Sequence, residues 1–207
     1  MSAGYKDYGY HSADANWSDS YLLPPLRRML GAPRGPILDV GCGNGAIART
    51  LLAEGYDVYG IDASRSGIEI AAANAPGRFF LHDVTVEQLP EGLAGKRFAF
   101  VISTEVISHL YAPRRLLDLA RGVLAEDGEL ILSAPYHGYL KNLALAVSGR
   151  MDAHFTALWD GGFIKFFSRR TLEEMLRQEC FVVTDFAGAG RLPYLWNSML
   201  VKARRAS

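Results

Sequence analysis

Nine residues, Ile37-Leu38-Asp39-Val40-Gly41-Cys42-Gly43-Asn44-Gly45, leave this chain little choice of fold. An apolar run climbs to an acid and then breaks into three glycines at alternate positions. The segment that follows, Ala46 to Ala53, is patterned as a helix. Physically this is a strand, a tight turn and a helix N-terminus. Without Cβ atoms the turn can approach a ligand closely, so a small molecule is expected to lie across it.

The rest of the chain alternates in the same way. Tyr56 to Ile61 is expected as a strand, Ser64 to Ala75 as a helix stopped by Pro76-Gly77, and Arg78 to Leu81 as a strand running into His82-Asp83. Phe98 to Ile102 is apolar throughout, the mark of a central parallel strand buried on both faces. Arg114 to Leu124 is an amphipathic helix, and Asp127-Gly128 is expected to turn into a strand over Glu129 to Ala134. Ser168 caps a helix reaching Glu179. Phe181 to Phe186 and Tyr194 to Lys202 read as two strands joined through Gly188-Ala-Gly190, hence an antiparallel pair. Strands alternating with helices mean a parallel α/β sheet.

Two segments break the rhythm. Residues 1–34 begin with Tyr5, Tyr8, Tyr10, His11 and Trp17 among small polar residues, expected as an aromatic lid, and continue from Ser18 or Asp19 as a helix to Leu30 with Pro24 and Pro25 near its start. Residues 136–167 hold Tyr136, His137, Tyr139, His154, Phe155, Trp159 and three further phenylalanines where a βα unit has only a short loop. They are expected as an insertion with short helices that caps an acceptor site. The whole chain, 1–207, is expected as one domain.

Composition narrows the class. The 22 basic and 22 acidic residues cancel, with no long run of one sign, which gives no support for a nucleic-acid surface. Cys42 and Cys180 do not form a disulfide framework, and the first residues lack a signal peptide's apolar core, so a cytoplasmic location is expected. The apolar stretch at Leu143 to Val147 is too short to span a bilayer.

Gly41-x-Gly43-x-x-Ala46, with Asp62 downstream, formally satisfies a dinucleotide fingerprint. The acids argue for another ligand. Asp39 beside the turn would repel a pyrophosphate but suits a positive amine, and Asp83 closes the third strand where it can accept from an adenine amine. S-adenosylmethionine (SAM) carries an amine, a ribose diol, an adenine and no phosphate.

Ile37 to Ala48 resembles motif I of the class I SAM-dependent methyltransferases, type 11/12-like and nearest the ubiquinone-biosynthesis O-methyltransferase-like group. Gly60-Ile61-Asp62 resembles their ribose-binding acid, His82-Asp83-Val84 their adenine segment, and Phe98 to Glu105 their fourth-strand motif. The resemblance implies a Rossmann-like three-layer sandwich on a seven-stranded, mostly parallel sheet of order 3-2-1-4-5-7-6, with strand 7 antiparallel. It also implies that Asp39 and the Gly41 backbone handle the methionine amine, that Gly43 allows close approach, and that Asp62, with Ala63 beside it, takes the ribose. Asp83 would take the adenine amine, the Val84 amide its ring nitrogen, and Ser103 or Thr104 the methionine end. S-adenosylhomocysteine (SAH) would be the product.

Methyl transfer to a hydroxyl needs proximity and a base. Glu105-Val-Ile-Ser108-His109 resembles the Glu-x-x-Glu-His of the ubiquinone-biosynthesis O-methyltransferases, a pattern linked to a divalent metal. Here Ser108 replaces the second Glu and removes an anionic ligand, so no metal site is expected. His109, His137 and His154 are the candidate bases, each also readable as a merely hydrogen-bonded histidine. Asp160 and Arg191 are weaker candidates, and His82 and His11 weaker still. The fourth strand ends in Ser-Thr-Glu-Val, without the Asn/Asp-Pro-Pro-Tyr of amino-methylating nucleic-acid enzymes. The expected activity is methylation of a small apolar or aromatic acceptor, at oxygen first and at nitrogen or carbon as alternatives. A SAM-binding protein without catalysis is the competing class, and the oligomeric state stays open.

Overall fold

The computed structural model describes residues 7–86, 88–155 and 157–206; Tyr5, with the rest of residues 1–6, and Glu87, Thr156 and Ser207 lie outside the described residues. The strands are β1 (Ile37–Val40), β2 (Val58–Asp62), β3 (Phe79–Leu81), β4 (Phe98–Ser103), β5 (Leu124–Pro135), β6 (Phe181–Ala189) and β7 (Ser198–Arg205). The helices are α1 (Trp17–Leu30), α2 (Ala46–Ala53), α3 (Arg65–Asn74), α4 (Arg114–Val123), α5 (Tyr139–Val147), α6 (Met151–Phe155) and α7 (Arg169–Gln178).

The seven strands form one sheet in the order β3-β2-β1-β4-β5-β7-β6, as the resemblance implied. β1 lies parallel to both neighbours, with Asp39 opposite Gly60 on one side and Ile102 on the other. β7 is antiparallel to β5 and to β6. Alternation along the strands sends side chains to two cores. Leu38, Val40 and Val101 pack with Leu116, Leu117 and Ala120 of α4 and Leu172 and Leu176 of α7. Ile37, Phe100 and Ile102 pack with Leu22 and Leu26 of α1, Ile47 and Leu51 of α2, and Ile68 and Ala71 of α3. Helix, sheet and helix make the three layers.

Several local expectations are corrected. Gly188 to Gly190 is not the turn of the closing pair: β6 runs on to Ala189, residues 190–197 connect, and β7 starts at Ser198 rather than Tyr194. Gly188 is needed because the Trp196 indole lies flush on it, where a Cβ would overlap the ring. Trp196 in turn stacks edge-on against Tyr136 and Phe186, so the aromatic residues that read as strand form a packed loop. Pro24 and Pro25 sit in the middle of α1, not near its start. Each lacks the N–H for an i−4 bond, and the burial of Leu22, Leu26, Met29 and Leu30 holds the helix through them. Asp127-Gly128 lies within β5, in the irregularity between the Phe98–Leu124 and Phe100–Glu129 pairings, rather than before the strand.

Candidate active site

The carboxyl ends of β1, β2 and β4 meet at the glycine turn. Gly41, Gly43 and Gly45 all have positive φ, at 78°, 54° and 77°, a region most side chains avoid. They serve different ends. A Cβ on Gly45 would press on Ala71 and Phe79, so this glycine lets α2 and α3 close on the sheet. A Cβ on Gly41 would overlap Val106, and one on Gly43 would overlap the Tyr10 hydroxyl.

Two acids flank the turn. Asp39 is 1% exposed and its Oδ1 has no hydrogen-bond partner. Burial, with Asp62 and Asp19 nearby, pushes its carboxyl up to about 8. Asp62 Oδ2 accepts from the Gly43 N–H at 2.7 Å and Oδ1 from the Ser64 N–H at 2.7 Å. Burial raises its carboxyl too, and those two bonds oppose the rise. The His82 amide donates to the Asp62 carbonyl at 2.8 Å, which sets the His82-Asp83-Val84 segment beside Asp62. Asp83 Oδ1 accepts from the amide and hydroxyl of Thr85 at 2.8 and 2.9 Å. Ala63 and Thr104 are half-buried at the ends of β2 and β4, and Ser103 donates to the Val40 carbonyl at 2.8 Å. An amine with several N–H groups fits beside Asp39: it would supply the donor that the orphaned Asp39 oxygen lacks.

Residues 7–16 cross over the turn. Asp7 accepts from the Ser64 and Ser66 hydroxyls at 2.6 Å each, which holds its carboxyl well below the usual range. Asn44 donates to the carbonyls of Ser12 and Asp14, at 2.9 Å each, and Arg49 donates to that of Ala13. Tyr10 stacks on Tyr8, whose ring meets Trp159 of the 136–167 segment edge-on at 5.3 Å. Tyr8 and Tyr10 thus reach the second aromatic segment across the turn, while Trp17 stays largely exposed.

The three candidate histidines fall into two groups. His137 and His154 come together, ring centroids 5.3 Å apart, among Phe155 and Phe166, and the Nε2 of each is buried without a partner. Burial, with Lys141 and His154 close by, lowers His137 to about 4. His109 stands elsewhere, between Trp159 and Phe163, its Nδ1 3.2 Å from the Gly162 carbonyl. Among the described residues no group of three His, Cys, Asp or Glu side chains is arranged to hold a metal. Glu105 turns to Ser133 and His109 to Gly162, so the segment that resembles a metal pattern does not converge.

Sequence reasoning met Glu105 only within a metal-like pattern and gave no role to the polar side chains that surround it. Ser133 donates to Glu105 Oε1 at 2.7 Å and accepts from the Glu105 amide at 2.9 Å. The Ser198 hydroxyl lies close enough to favour the ionised Glu105, and the Tyr21 hydroxyl lies 3.4 Å from Ser198 Oγ. Lys141, 6% exposed, donates to the Asn197 carbonyl at 3.1 Å. The lone polar residue of the apolar run Leu130 to Pro135 and the Lys141-Asn142 pair within Tyr139 to Val147 were the available signal for Ser133 and Lys141; Tyr21 and Ser198 gave none.

Residues 15–184 match a known family, described as a methyltransferase domain. The chain belongs to this methyltransferase domain family. It is 30% identical over 178 residues to the ubiquinone biosynthesis O-methyltransferase of Azorhizobium caulinodans, covering 82% of this chain and 65% of that protein. The chain thus spans just under two thirds of that relative's length. The methyltransferase domain superposes on magnesium protoporphyrin IX methyltransferase from Synechocystis, solved with SAH, with a TM-score of 0.65 and 19% identity, over 96% of this chain and 91% of that one. It also superposes on the 1,6-didemethyltoxoflavin N1-methyltransferase of Burkholderia thailandensis, TM-score 0.64 and 20% identity, over 89% and 76% of the two chains. At such identities these two likenesses speak for the fold alone, which is that of the SAM-dependent methyltransferases. Among the described residues of this methyltransferase domain no helix is long and apolar enough to cross a membrane.

Proposed function

We propose that this methyltransferase domain, acting as one unit over residues 1–207, binds SAM across the glycine turn and methylates a hydroxyl of a small apolar or ring-bearing acceptor. The observation that carries the cofactor reading is the buried, unpartnered carboxylate oxygen of Asp39 beside the open turn. In this reading Asp39 and the Gly41 backbone receive the amine, Asp62 and Ala63 the ribose, Asp83 and Val84 the adenine, and Thr104 the methionine end. SAM when bound supplies a sulfonium methyl group. The aromatic 136–167 segment supports an acceptor enclosed from water, with His109, His137 and His154 lining or flanking it. The oxygen acceptor is supported by the name of the Azorhizobium relative, an O-methyltransferase of ubiquinone biosynthesis. A small-molecule rather than a nucleic-acid acceptor agrees with the balanced charge, a metal-independent reaction with Ser108 standing where the metal pattern has Glu, and a cytoplasmic location with two free cysteines.

The test follows labelled methyl from SAM into a panel of phenols and catechols. Label in a methyl ether together with release of SAH is expected. Tight SAH binding with no transfer to any acceptor would instead favour a binding protein without catalysis.

A further inference from the structure

We propose that Glu105 takes the proton from the acceptor hydroxyl, and that Ser133, Ser198 and Lys141 hold its carboxylate ready to do so. This rests on the methyl-transfer reading above and assigns the base within it.

Glu105 follows the carboxyl end of β4 with a φ of 59°. A non-glycine residue in the left-handed region is strained and persists where its surroundings dictate it. Here they do. Ser133, 1% exposed, grips both the Glu105 amide and Oε1, and the nearby Ser198 hydroxyl also favours the ionised carboxylate. Tyr21 backs Ser198, and its own hydroxyl feels the negative charge of Glu105 and of Asp19. These contacts leave lone pairs on the carboxylate for one more donor. The next residue, Val106, lies on Gly41, so Glu105 is fixed directly beside the turn that would carry the cofactor. The site therefore sets a carboxylate where the methyl donor and the acceptor would meet.

The proton affinity is suited to the task. Burial raises the Glu105 carboxyl to about 7, while the Ser133 and Ser198 hydroxyls and the Lys141 ammonium pull the other way. A base ionising near the working pH removes a proton far better than one ionising in the ordinary carboxylate range. His137, lowered to about 4, is a weak base by the same argument, and His109 already holds the Gly162 carbonyl through Nδ1. The step balances: the acceptor O–H bond breaks and its proton passes to Glu105, the oxygen bonds the methyl carbon, and the C–S electron pair stays on sulfur. Methyl ether, SAH and a protonated Glu105 result, and Glu105 then returns its proton to water.

The experiment compares wild type, Glu105→Gln, Glu105→Asn and Ser133→Ala, measuring SAH affinity by calorimetry and turnover of the phenol and catechol panel against pH. Asn tolerates left-handed backbone, so the second variant removes the carboxylate without added strain. Both Glu105 variants should bind SAH within twofold of wild type and lose at least 100-fold in turnover. Ser133→Ala should lose turnover at pH 7, regain it at higher pH, and move the acid-side break of its pH profile upward by half a unit or more, because a hydrogen bond that favours the anion is gone. Turnover within threefold of wild type in Glu105→Gln, or an unmoved break in Ser133→Ala, overturns the assignment. A wild type that fails to bind SAH overturns the cofactor reading instead. One that binds SAH yet methylates nothing in the panel overturns the hydroxyl acceptor, and Glu105 as base with it.

Discussion

The phenol of Tyr10 lies on Gly43, its hydroxyl filling the space a side chain at that glycine would take. The contact closes the strap of residues 7–16 over the turn, fastened by Asp7 to the start of α3 and by Asn44 to the strap's carbonyls. Any ligand on the turn must share this space with Tyr10. Tyr10→Ala should therefore speed SAH dissociation at least fivefold in stopped-flow. Gly43→Ala, which adds a Cβ at a φ of 54°, should weaken SAH binding more than tenfold. Unchanged rates and affinity in both variants would show that the strap does not cover a ligand site.

Asp39 is expected to destabilise the ligand-free protein as pH rises. Its folded carboxyl, at about 8, lies above the ordinary 3.8. The folded state thus holds a proton that the unfolded chain has lost, and stability falls between those values by up to about 1.4 kcal/mol per pH unit. Asp39→Asn removes that slope. The variant should melt several degrees above wild type at pH 8, match it near pH 4, and lose SAH binding. Equal melting temperatures at pH 8 would mean the carboxylate finds a partner in solution.

His137 gives the opposite sign. Its folded value, about 4, lies below the ordinary 6.5, so the unfolded chain binds the extra proton in between. The stability this imidazole contributes is complete above pH 6.5 and is lost as pH falls through 4. Urea unfolding from pH 7 to 4 should show a steeper loss in wild type than in His137→Phe. Parallel curves would place His137 in water rather than among Phe155 and Phe166.

Chelation should change nothing. Glu105 and His109 are turned to Ser133 and Gly162, and Ser108 offers only a hydroxyl. Protein treated with EDTA should keep its SAH affinity and its turnover within twofold. A loss above tenfold, restored by Mg²⁺, would show that the Glu105 to His109 segment rearranges around an ion.

Much of this was legible in the residues, for physical reasons. Phe98 to Ile102 had to be central because an apolar run with no polar face is stable only when covered on both sides. The acids at 39, 62 and 83 stood out because carboxylates at successive strand ends have few structural reasons to recur. What escaped notice depends on contacts distant in sequence. Nothing near Gly188 shows that Trp196 will lie on it, so the glycine read as a turn. Nothing in α1 shows that Tyr21 will reach Ser198, 177 residues away. The Ser133 and Glu105 pairing likewise joins two strands whose register only the sheet provides.

The central claim, that the acids and the glycine turn form one SAM site, turns on Asp62, which bonds the Gly43 amide and is left to take the ribose. Calorimetric titration with SAH tests it most directly. Wild type should bind at one site, and Asp62→Ala, otherwise folded, should lose at least tenfold in affinity. Equal affinity in the two proteins would contradict the account.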